Sequence, residues 1–258
     1  MSQLFYICIP IALAIFIFYL NNRKSKILSH PSRINSKSIL EKHVQFYQKL
    51  SKEEKVEFEN RVSSFLDKVK ITGIETKVED MDRIFVASGA IIPIFAFKNW
   101  EYQNINEVLI YPNSFDQKFN TKGKGRNVVG MVGEGGLQNT MILAKQNLRN
   151  GFLDIHSKSN TAIHEFVHLV DKEDGYIDGF PHILISEKQF LPWLIFIHEE
   201  IQLIKKGKSD INAYAATNDA EFLAVASEYF FKQPHLLQKK HPELHKLLEE
   251  IFSPMEMK

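Results

Sequence analysis

Cysteine is almost absent: the chain has one among 258 residues, Cys8, set inside an apolar run. An internal disulfide framework is therefore excluded, and the rest of the chain has no thiol to serve as nucleophile or metal ligand. Charge of one sign is missing too. Lys and Arg number 32 against 31 Asp and Glu, a formal net charge of +1. That balance lacks the clustered basic excess of a nucleic-acid surface, so direct nucleic-acid binding is not expected. Internal repeats and low-complexity tracts are lacking as well. The remaining composition, 44% apolar and 24% charged, is enough for one substantial core. A metal site in this chain must be built from His, Asp or Glu.

The one long hydrophobic run stands at the N-terminus. Residues 4–20 (LFYICIPIALAIFIFYL) carry no charge. A helix of that length spans roughly 25 Å, close to the minimum for a bilayer core, and membrane helices tolerate a proline such as Pro10. Positive residues follow the run at Arg23, Lys24, Lys26 and Arg33, and FYLNN is a poor cleavage site. The expectation is an uncleaved, single-pass anchor over residues 1–22 in the inner (cytoplasmic) membrane, with the chain from Arg23 onward in the cytoplasm. Residues 23–40, basic, Ser-rich and containing Pro31, read as a linker. Residues 41–258 read as the functional domain.

Apolar positions at helical spacing (Val44, Tyr47, Leu50, then Phe58, Val62, Phe65, Leu66, Val69) predict two helices joined near Leu50. Ser51 and Glu54 have the Ser-x-x-Glu form of a capping box. Residues 78–96 predict a further, partly buried helix. EVLIY at 107–111, closed by Pro112 and Asn113, predicts a short buried strand, and residues 128–132 and 140–144 predict two more. The later half predicts helices over 160–170, 191–205, 220–232 and 244–252. Helices dominate, with a small sheet ahead of residue 160, which is an α+β layout.

Within that second half lies His164-Glu165-Phe166-Val167-His168. Residues four apart on a helix share one face, so both imidazoles can reach one cation. Zinc accepts neutral imidazole nitrogen and, in catalytic sites, three protein ligands. Glu165 reaches the same rim, where a carboxylate can take a proton from an activated water. The pattern is short and the chain has 10 His, so context matters. Here the flanks support a helix: Ser157, Ser159, Asn160 and Thr161 offer caps, and Gly175 closes it after Asp174. Phe166, Val167, Leu169 and Val170 supply faces for a core. Asp171 is spaced to hydrogen-bond a ligand imidazole.

A third ligand must come from downstream. Asn218-Asp219-Ala220-Glu221 opens an apolar-periodic helix, with Asn218 as N-cap and Glu221 at the capping-box position. Glu228, seven residues on, lies on nearly the same face. Spacing leaves the choice between Glu221 and Glu228 open.

HEFVHLVDKEDG at 164–175, DGFP at 178–181 and AYAATNDAEFLAVASEYFFKQP at 213–234 resemble the Mlc titration factor A family. These are zinc-dependent bacterial peptidases, also called glucose-regulated metallopeptidases. Weaker similarity reaches upstream through EVLIYP and residues 58–73, so it covers most of 45–252 and leaves out the N-terminal run. The resemblance implies a zincin-like, gluzincin-type domain binding one Zn2+ ion through His164, His168 and Glu221, with Glu228 in support and Glu165 as general base. It implies hydrolysis of short peptides in an aminopeptidase-like manner. Tyr214 matches a family tyrosine near the metal and is placed to steady a developing oxyanion. An extended peptide substrate is expected to pair with the strand at 140–144.

The family name also points to a transcriptional-repressor partner, so a membrane-tethered regulatory binding protein is the competing reading. An intact Glu165 argues against it, because a pure binder has no need of a base beside two ligands. An intramembrane protease is excluded, since residues 160–174 are polar at both ends. His182, His198, His235, His241 and His245 read as surface or satisfied residues, and Lys239-Lys240-His241 as a solvated face.

Overall fold

The computed structural model describes residues 33–116, 128–133, 138–182, 184 and 187–253, all within the unit Pro31–Lys258. The expected anchor at 1–22 lies outside the described residues. Among those described, no helix is long and apolar enough to cross a membrane.

Among the described residues, ten helices and four strands follow in order. They are α1 (Arg33–His43), α2 (Gln45–Gln48), α3 (Lys52–Lys68), β1 (Lys70–Gly73), α4 (Asp80–Ile94), β2 (Glu107–Tyr111), β3 (Gly130–Val132), β4 (Thr140–Ala144), α5 (Lys145–Leu153) and α6 (Thr161–Asp171). The last four are α7 (Glu187–Lys205), α8 (Asp219–Lys232), α9 (Pro234–Lys240) and α10 (Pro242–Ile251). Short 3-10 turns sit at Lys172–Asp174 and Ala213–Ala216. The layout is α+β, as expected, with a four-stranded sheet in the order β1-β2-β4-β3. β1, β2 and β4 run parallel, and β3 alone is antiparallel, pairing Gly130 with Leu143 and Val132 with Met141.

Local rules explain most of the boundaries. Ser51 and Glu54 form the expected reciprocal cap of α3. Glu79 and Asp82 do the same for α4, an unannounced box built from two acids. Asp82 is fully buried because Arg149 of α5 donates to it at 2.6 Å and Lys145 lies 3.3 Å away. A helix apolar on every side belongs inside, and α4 fits: residues 84–94 are all buried, deeper than the partial burial expected. It packs against α1, α3, α5 and α6.

Three elements depart from the sequence reading. Helix α1 takes in the second half of the segment expected as linker, because Leu40 is fully buried and its docking outweighs a Ser/Lys-rich composition. Strand β1 occupies the stretch after α3 and pairs with β2 from Lys70↔Glu107 onward. Helix α5 follows β4 without a break. At the C-terminal end Lys239 and Lys240 are exposed, in keeping with the expected solvated face, and the half-buried His241 is satisfied; it and Lys240 share one partner. With Lys158 they converge on Asp210, at 2.7, 2.7 and 2.5 Å, and the Tyr229 hydroxyl joins at 3.3 Å.

α4 and α6 approach closely through Gly89 and Ala162. A Cβ built at Gly89 would lie 2.5 Å from the Ala162 Cβ, closer than any real contact. In an open helix Gly→Ala gains about 1 kcal/mol. Here Gly89→Ala is expected to cost about 1–3 kcal/mol instead, read as a lower denaturation midpoint with the m-value unchanged.

Candidate metal centre

Helix α6 carries HEFVH, and residues 162–171 are all buried. Asn160 starts it: its side-chain oxygen accepts the N–H groups of Ala162 and Ile163 at 3.1 and 3.2 Å. Its Nδ2 donates to the Gly151 carbonyl at 3.1 Å, and its own backbone N–H donates to Glu228. At the other end Gly175 takes a left-handed φ of 102°, which closes the following 3-10 turn as expected.

His164 and His168 meet edge to face one turn apart, with their Nε2 atoms 3.2 Å from each other. Glu221, in the first turn of α8, brings Oε2 to 3.0 Å from the first Nε2 and 3.5 Å from the second. These three atoms outline one face of a tetrahedron. Metal–ligand bonds of about 2.0–2.1 Å require an edge near 3.3 Å, so the donor set fits one small divalent ion. Charge agrees with size. Glu165, Glu221 and Glu228 gather around two imidazoles in a largely buried space, an acidic surplus that calls for a cation.

The two glutamates left open by spacing separate cleanly. Glu221 faces the paired Nε2 atoms. Glu228 sits behind His164 and accepts its Nδ1–H at 2.7 Å. Asn218 caps α8 by accepting the Glu221 N–H at 2.8 Å, while the Glu221 carboxylate itself turns to the imidazoles. Burial works against ionising Glu221, but hydrogen bonds from His164 and His168 outweigh it and hold the carboxyl well below its usual range. Burial likewise depresses His164, and its bonds to Glu221 and Glu228 more than reverse the effect.

Glu165 is buried, which pushes its carboxyl up against the pull of the two imidazoles. It packs under Gly130 at the start of β3: a Cβ there would stand 2.4 Å from the Glu165 Oε1. Only glycine lets this strand pass so close. Tyr214, on the 3-10 turn Ala213–Ala216, is half exposed and donates from its hydroxyl to Glu221 Oε1 at 3.1 Å. Burial first, then the Glu221 charge, raises its pKa to about 12, so it stays a donor at neutral pH.

The sequence profile described as glucose-regulated metallo-peptidase M90 matches residues 19–253. The chain belongs to this family. Among relatives, an uncharacterized protein of Synechocystis sp. is 26% identical over 245 residues, 91% of this chain and 89% of its own length. Mlc titration factor A of Escherichia fergusonii is 29% identical over 208 residues, 76% of this chain and 77% of its own. The same-named protein of Pectobacterium atrosepticum is 28% identical over 177 residues, 62% of this chain and 64% of its own.

Two expectations for this M90 domain are corrected. Asp171 makes no bond to an imidazole. Its Oδ2 accepts the Gly179 N–H at 2.8 Å, and Asp171 Oδ1 and His168 Nδ1 are both buried without a hydrogen-bond partner among the described residues. Strand β4 offers no edge to a peptide, because β2 and β3 flank it on both sides. Among the described residues the sheet ends on that side at β3, which packs on α6 beside the motif. Asn160 was legible as a cap but its hold on Glu228 was not, and Gly130 was seen only as part of a strand.

Glu228 accepts two hydrogen bonds, one on each oxygen. A glutamine has a single acceptor oxygen, so one contact becomes donor against donor. Glu228→Gln is expected to cost about 1–3 kcal/mol in chemical denaturation, measured without added metal.

Proposed function

We propose that this M90 chain is a zinc-dependent peptidase that hydrolyses short peptides in an aminopeptidase-like manner. The observation that carries the reading is the triangle of His164 Nε2, His168 Nε2 and Glu221 Oε2 beside a buried carboxylate, Glu165. A bound zinc ion would supply Lewis-acid polarisation of the scissile carbonyl and a water whose pKa falls to about 7. Beside such an ion Glu165 would hold a proton as general base and return it to the leaving amine, a role suited to a carboxyl that burial raises above its ordinary range. Tyr214, already a donor at the rim, gives its hydrogen bond to the oxyanion as charge develops. The substrate backbone lies along the outer edge of β3, whose antiparallel pairing and Gly130 bring it next to Glu165.

The placement of residues 1–22 as a membrane anchor, 23–40 as a linker and the domain on the cytoplasmic side belongs to the same proposal. It rests on the apolar run and the positive residues after it. A regulatory partner is the second reading, favoured by relatives named Mlc titration factor A. It calls for a transcriptional repressor bound by this domain.

Glu165→Gln is expected to leave zinc stoichiometry intact by metal analysis while peptide hydrolysis falls by roughly 10²–10⁴-fold. Loss of metal together with activity would remove Glu165 from the role of base. Tyr214→Phe is expected to lower kcat by about 10²–10³-fold with KM little changed. A change confined to KM would make it a binding residue only.

A further inference from the structure

Lys232 stands on α8 one turn beyond Glu228 and is buried, 7% exposed. Its Nζ donates to the Gly151 carbonyl at 2.6 Å and to the Asp154 carbonyl at 3.0 Å, at the C-terminal end of α5. A cation suits that end, where the last carbonyls point outward. Most of the other surroundings are apolar: Val44, Phe46, Ile92, Phe152, Ile163 and Phe231 line a cavity of about 10 Å3, together with His43, Gln45, Asn160 and Lys232. Burial lowers the Lys232 pKa to about 8, with Asp154 pulling the other way. An apolar side chain would avoid that cost, so the ammonium is tied to the carbonyls it holds.

The Gly151 carbonyl is shared. It accepts from Lys232 and from Asn160 Nδ2, and the contact has no slack, since a Cβ at Gly151 would lie 2.9 Å from the Asn160 Cγ. Asn160 in turn caps α6 through its side-chain oxygen and binds Glu228 through its backbone N–H. Glu228 fixes His164 at Nδ1. We propose that Lys232 is a positioning residue of the metal centre: by locking the Gly151 carbonyl it sets Asn160, and through Asn160 both the start of the metal helix and the carboxylate that aims His164. The proposal rests on the metal-centre reading. Residues behind a ligand histidine change metal affinity by about 10–100-fold when lost.

The test compares the wild-type chain with Lys232→Met and with Val62→Ala, a core change in α3. Zinc affinity is read by competition with a chromophoric chelator, and site geometry from the visible spectrum of the Co2+-loaded protein. Lys232→Met is expected to bind zinc at least tenfold more weakly and to shift the cobalt bands. Val62→Ala is expected to lower Tm with affinity and spectrum unchanged. Should Lys232→Met fail to fold, Lys232→Gln, which keeps a donor on a shorter stem, carries the same comparison. A folded Lys232 variant with affinity within twofold of wild type and unchanged bands overturns the proposal alone. A wild-type chain that takes up neither metal overturns it together with the metal-centre reading.

Discussion

The site turns on one imidazole. His164 is gripped at both ring nitrogens by carboxylates from the same helix, Glu221 at Nε2 and Glu228 at Nδ1, two turns apart on α8. A ring clamped this way has almost no rotational freedom, and the bond at Nδ1 sets its orientation. The clamp works only if α6 and α8 cross at one depth. Small residues on the buried faces, Ala162 on α6 and Ala224 and Ala226 on α8, leave the room. Bonds from outside hold the pair in place: Asn104 donates to the Leu169 carbonyl at 2.8 Å, and Trp193 to the Gly179 carbonyl at 2.9 Å.

That geometry also explains how ionisable groups persist in an apolar interior. Three of the buried ionisable groups are answered by polar partners: Glu221 by the imidazoles, Asp82 by Arg149, Lys232 by the carbonyls that end α5. Leaving any one unanswered would cost several kcal/mol of order-of-magnitude desolvation. The same packing that exposes the Nε2 atoms to one small ion therefore depends on a chain of satisfied polar contacts behind them.

What was legible in the sequence was what local rules govern. HEFVH spacing, the Asn160 and Asn218 caps, the Ser51/Glu54 box and the Gly175 stop depend on residues within a turn of each other. The family resemblance carried the choice of Glu221, where periodicity could not separate it from Glu228. The division between them is set by which nitrogen of His164 each reaches, a property of the α6–α8 crossing. Strand β1 escaped because four residues after a helix say little until β2 arrives to pair with them. The identity of the terminal strand escaped for a related reason: edge and interior differ by strand order, which is written nowhere in TMILA or GMV. His241 is satisfied, as expected, but its partners were not legible because they come from α7 and the segment after it, far away along the chain.

The Asp210 cluster ties the last two helices to the rim of the cleft. Asp210 lies four residues before Tyr214; burial works against its charge, but hydrogen bonds from Lys158, Lys240 and His241 hold it well below the ordinary carboxylate range. Lys240 and His241 supply two of those grips from the junction of α9 and α10. The C-terminal helices thus serve as an anchor post for the segment that leads into the turn carrying the tyrosine.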